Sequence, residues 1–131
     1  MATLAGCSAK PPQDCEVAHR QTLQCIERYR GQSGARFLLG CYPFSEPERI
    51  SGAWIAGFET NEFYEGARAS PALMNMRVGD TQLEVEGLPT GGPQPLLYQM
   101  EFFGRRSRCD MGFPRHIIVV QHIVSRREVG P

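Results

Sequence analysis

The sequence predicts a mainly β domain, a small closed or nearly closed barrel with one N-terminal helix, and two observations carry most of that prediction. The first is the stretch from Ile50 to Gly66, which holds the only tryptophan and four of the twelve large aromatics. Trp54, Ala56 and Phe58 alternate there with Ile55, Gly57 and Glu59, and a period of two belongs to a strand. The second is the ending His116-Ile-Ile-Val-Val-Gln-His-Ile-Val124, apolar on both faces at its centre, as in a strand with neighbours on each side. Short strands punctuated by glycine bends close most readily as a barrel. Gly52 and Gly57 permit the sharp coiling or close backbone approach that closure needs.

In chain order, residues 1–13 read as a residual lipoprotein signal end with a polar tether, and 14–131 as a single domain. Asp14 is placed to cap one helix over Cys15–Arg30, with Arg28 and Arg30 in its last turn and Gly31 beyond it. Arg36–Tyr42 is a short apolar run and predicts a strand that stops at Pro43. After the Trp54 strand, Ala72–Val78 and Thr81–Glu86 flank Gly79-Asp80 and predict a tight hairpin, with Leu83 and Val85 inward and Glu84 and Glu86 outward. The Pro- and Gly-rich stretch 88–95 predicts a surface loop. Leu96–Phe103 predicts a strand with Leu96, Tyr98, Met100 and Phe102 on one face. The arginine-rich connection 104–112 and a final strand over Arg115–Arg127 complete the order.

Charge narrows the function classes. Fourteen basic residues balance fourteen acidic ones, so no global field recruits nucleic acid or an anionic membrane. The charges are segregated, with sums of +2, −6 and +4 over residues 1–43, 44–101 and 102–131. Pairing of acidic middle strands against the basic tail accounts for that pattern.

Five cysteines fall into two kinds. Leu4-Ala-Gly-Cys7 resembles the end of a bacterial lipoprotein signal, in which Cys7 is lipidated and becomes the mature N-terminus. A working signal also has a charged segment and an apolar run of about 7–15 residues before that point; these would lie upstream of Met1. In the oxidising compartment that export implies, Cys15, Cys25, Cys41 and Cys109 predict two disulfides, with three possible connectivities. If Cys15 and Cys25 share one regular helix, about 15 Å separates them, and each must pair with Cys41 or Cys109 instead.

Other chemistries have partial support. Cys15, His19 and Cys25 supply three zinc-type ligands, but lack the tight Cys-x2-Cys spacing and a fourth ligand, so no metal or other cofactor is expected. Cys109 with His116 or His122 offers the residue types of a nucleophile and base without a surrounding motif. Glu59, Glu62, Glu65, Glu84 and Glu86 form an acidic set that a small hydrolase would use as paired carboxylates, or that forms a solvated rim. Arg105, Arg106 and Arg108 beside Phe102 and Phe103, with Arg126 and Arg127, have the composition of a single-strand nucleic-acid surface, which the acidic strands disfavour.

The runs Gly52-Ala-Trp-Ile-Ala-Gly-Phe-Glu-Thr-Asn-Glu-Phe63 and His116–Arg127 together resemble a group of small uncharacterised bacterial secreted proteins with a Gly-x-Trp-x-x-Gly-Phe-Glu-x-x-x-Phe strand. The resemblance covers roughly residues 50–127 and implies an exported barrel of the oligonucleotide/oligosaccharide-binding type, with no catalytic residues to carry over. The functional expectation is a non-catalytic cell-envelope lipoprotein that meets the membrane only through a lipid on Cys7 and binds a small ligand or an envelope component. Trp54, Phe58, Phe63 and Tyr64 would then offer apolar stacking surface and Glu59 and Arg68 polar contacts, unless Trp54 and Phe58 are simply core.

Overall fold

The computed structural model describes residues 11–57, 59–75, 79–86, 94–112 and 114–130. Its centre is one five-stranded sheet curled into a nearly closed barrel. The strands are β1 (Glu48–Gly57), β2 (Thr60–Glu65), β3 (Thr81–Glu84), β4 (Leu96–Arg106) and β5 (His116–Glu128), arranged in the order β2-β1-β4-β5-β3. β1 is antiparallel to β2 and β4, β4 is antiparallel to β5, and β3 lies parallel to β5. Two register shifts on β4–β5, at Glu101/Phe102 and Phe103/Gly104, add local twist to the long last strand. Gly52 makes the tight β1–β2 approach possible, because a side chain there would run into the Tyr64 carbonyl and the Glu65 Cα.

The inward faces follow the predicted alternation. Ile50, Trp54, Phe63, Leu83, Tyr98, Met100, Phe102 and Ile118 form the barrel core, and Trp54 is 1 % exposed. Trp54 packs on Tyr98 at 5.7 Å between ring centroids, and Phe63 packs edge-on against Phe102 at 5.5 Å. Leu96, expected in this row, is instead exposed at the start of β4.

Three elements differ from expectation. The N-terminal helix is two helices, α1 (Cys15–Arg20) and α2 (Thr22–Arg28), divided at Gln21. Thr22 Oγ1 donates to the Ala18 carbonyl at 3.1 Å, the kind of local back-bonding that bends helices. Cysteines at the two ends draw the halves toward different partners: Cys15 joins Cys109 and Cys25 joins Cys41, with Cα separations of 5.6 and 5.9 Å. The predicted strand over Arg36–Tyr42 is helix α3 (Gly34–Cys41). Ser33 caps it by accepting from the Arg36 N–H at 3.2 Å, and Leu38 and Cys41, one helical turn apart, face the inside. The predicted 72–78/81–86 hairpin does not form in its described part. Pro71–Asn75 is a 3-10 helix, and β3 pairs with β5, whose parallel edge takes the inward Leu83 opposite Ile118.

Two further layers cover the outside. Ala18, Cys25, Leu38, Cys41, Tyr42 and Phe44 pack the helices onto Val119 of β5. The chain after β2 folds Ala67, Ala69 and Leu73 over Ala53, Ile55 and Leu97. Phe58, Cys7 and the 1–10 part of the tether lie outside the described residues.

Candidate binding groove beside the β2–β3 seam

Barrel order places β2 beside β3, yet no backbone ladder joins them among the described residues. Side chains close the gap. Asn61 Oδ1 accepts from the Leu83 N–H at 3.0 Å, and Asn61 Nδ2 donates to the Leu83 carbonyl at 2.9 Å, so one amide stands in for a missing peptide neighbour. The same Oδ1 accepts the Trp54 indole N–H at 2.8 Å. Further along, the Gly79 N–H donates to the Tyr64 hydroxyl at 3.1 Å, and that hydroxyl donates to Glu62 at 2.5 Å.

A groove of about 430 Å³ runs along this seam, lined by Glu59, Asn61, Glu62, Asp80, Gln82 and Arg115 among others. Its size falls within the range of small-ligand pockets. Glu59 sits in the turn between β1 and β2 with φ +59°, the only non-glycine residue in the left-handed region among those described. Arg115 is paired with Asp110 at 3.5 Å. The lining is therefore rich in acceptors, suited to a ligand that brings hydrogen-bond donors or positive charge.

A second hollow, about 270 Å³, opens at one barrel mouth beside Phe63, Thr81, Ser107 and His116. Arg106 spans it, binding Glu65 through two short hydrogen bonds of 2.5 and 2.6 Å and Glu48 at 3.0 Å. Hydrogen bonding to Arg106 holds the Glu65 carboxyl below the usual carboxylate range, and the same bond raises the Arg106 pKa. Glu84 behaves oppositely: burial, then repulsion from Glu86, pushes its carboxyl up.

Sequence-derived candidates are dispersed. Trp54 and Phe63 are core residues of 1 % and 3 % exposure, and of the two only Phe63 lines a hollow, the one at the mouth. Glu59 lines the groove, Tyr64 is hydrogen-bonded to the lining residues Glu62 and Gly79, and Arg68 is exposed outside its lining. Cys15, Cys25, Cys41 and Cys109 are consumed by disulfides, which removes both the zinc set with His19 and the Cys109 nucleophile. His116 lines the mouth, whereas His122 lies against Phe103 on the outer face. The five glutamates divide among the groove (Glu59, Glu62), the mouth (Glu65), β3 (Glu84) and the residues just after it (Glu86). The arginines also separate: Arg105 Nε donates to the Ser45 carbonyl at 2.8 Å, Arg106 is held at the mouth, and Arg126 stacks on Tyr98 at 5.6 Å. Asn61, Asp80, Gln82 and Arg115 were not anticipated; an asparagine within an alternating strand was the available signal.

The chain matches no family of known proteins, no curated protein and no solved structure.

Proposed function

We propose that this chain is a non-catalytic module of the bacterial cell envelope, anchored as a lipoprotein through Cys7 and binding a ligand or partner in the β2–β3 groove. The observation that carries the reading is the use of cysteine. All four cysteines downstream of Cys7 are spent in two disulfides, a usage that belongs to oxidising compartments. The barrel interior supports binding on the outside, because side chains fill it and leave the seam groove as the largest of the concave surfaces described above.

No helix among the described residues is long and apolar enough to cross a membrane, so on this reading a lipid on Cys7 supplies attachment. The test is thiol trapping in the native cell, followed by mass spectrometry of the N-terminal peptide. The expected result is protection of Cys15, Cys25, Cys41 and Cys109 until reductant is added, with a lipid adduct on Cys7. Four freely reactive thiols, or an unmodified Cys7, would overturn it.

A further inference from the structure

From the exposed apolar face of α2 and the short run of sequence between Cys7 and the helices, we infer that Leu23 and Ile26 rest on the bilayer interface and set the orientation of the barrel above it. The inference builds on the lipoprotein reading. Leu23 is 81 % exposed and Ile26 44 %, one helical turn apart, and no element among the described residues covers them. Among the described residues Leu23 is the most open of the large apolar side chains, and both residues lie in the helical unit that follows Cys7 in sequence.

Length commits the occupant. Cys7 and Cys15 are eight residues apart, so the start of α1 lies at most about 28 Å from the lipid attachment point even when the tether is fully extended. The helical unit is the first folded part the tether meets. A short tether holds a surface patch at an effective concentration in the mM range, enough to occupy a contact too weak to hold the free chain. The Cys15–Cys109 disulfide then fixes the barrel to the docked helices.

Charge plays little part in this contact. Of the described basic groups near the patch, Arg20 is paired with Glu16 at 3.3 Å and Arg30 with Glu27 at 2.6 Å, which leaves Arg28, in the last turn of α2, as a single cation beside it. Apolar burial carries the contact, as for an interfacial helix whose polar face stays wet.

The test couples the full chain through Cys7, the cysteine outside both disulfides, to a maleimide phospholipid in phosphatidylcholine vesicles. Leu23→Trp supplies the reporter, with the buried Trp54 signal subtracted from the parent protein. The expected result is a blue shift, quenching by brominated acyl chains, and acrylamide access reduced roughly fivefold or more on coupling. Added salt or anionic lipid should change it only slightly, through Arg28, and Ile26→Asp should restore access. Equal acrylamide access before and after coupling would overturn the inference. So would concentration-dependent dimerisation of the uncoupled chain that Leu23→Asp abolishes, which would assign the face to a second copy. Because the lipid is supplied chemically, an exposed indole on vesicles defeats the docking alone, whereas an unmodified Cys7 in cells defeats the lipoprotein reading.

Discussion

Replacing Asn61 with alanine tests how the barrel is closed. The substitution removes three hydrogen bonds at once: those to the Leu83 N–H at 3.0 Å, to the Leu83 carbonyl at 2.9 Å, and from the Trp54 indole at 2.8 Å. Leu83 and Trp54 are 3 % and 1 % exposed, so water cannot readily replace what is lost. At about 1 kcal/mol per bond, with more wherever a buried donor is stranded, Asn61→Ala should cost about 3 kcal/mol or somewhat above. That is a large share of the roughly 5–15 kcal/mol by which domains are stable. Urea unfolding followed by Trp54 fluorescence should show the midpoint falling by about 1.5 M for a slope near 2 kcal/mol/M, with the slope unchanged. A loss below about 1 kcal/mol for Asn61→Ala would refute the idea that one side chain seals the seam.

Opening Cys15–Cys109 with a Cys15→Ser/Cys109→Ser pair should cost about 4.7 kcal/mol in the chain-entropy picture, against about 3 kcal/mol for Cys25→Ser/Cys41→Ser, because the first closes 94 residues of chain and the second 16; paired urea curves rank them. Arg106→Gln should cost about 1 kcal/mol or less at neutral pH, since Glu48 and Glu65 at the mouth are about half exposed and water replaces part of what the arginine supplied. The Glu65 carboxyl is depressed by that arginine, so its stabilising contribution is present above the unfolded pKa and lost as pH falls through the folded value, and the gap between parent and variant should close below pH ~4. Glu84 has the opposite sign. Its raised carboxyl pKa removes stability as pH rises through the folded value, so Glu84→Gln should raise the thermal midpoint at pH 7 and leave it nearly unchanged at low pH. Glu59→Gly should stabilise by about 1 kcal/mol by relieving φ +59°, measured by calorimetry.

The sequence made the long strands legible because their patterns are long. Trp54, Tyr98, Met100 and Phe102 lie in one interior, as period-two alternation required, and Gly52 sits where the β1 and β2 backbones meet. Short elements were read less well. Arg-Phe-Leu-Leu-Gly-Cys-Tyr over residues 36–42 is too brief for its period to separate strand from helix, and the decisive signal was Ser33, a cap three residues earlier. The hairpin at Gly79-Asp80 failed for a different reason. Local turn chemistry favoured it, but β5 offers Leu83 a long parallel neighbour and a place in the core beside Ile118, and tertiary burial outweighs turn preference.

That last outcome also explains why the groove was hidden. Once β3 leaves the expected hairpin and joins β5, its other edge faces β2, a strand more than fifteen residues earlier whose own ladder points the other way, toward β1. The two edges meet through side chains at Asn61 with Leu83 and at Tyr64 with Gly79, an order that runs antiparallel as a ladder would. Side chains reach farther than peptide groups, so a seam built from them stays wider than a paired one, and the Glu59–Asp80 groove lies along it. Groove and closure are thus one feature. Each depends on a long-range pairing that leaves no periodic trace in the chain, which is why Trp54 drew attention as a site residue while Asn61, its hydrogen-bond partner, did not.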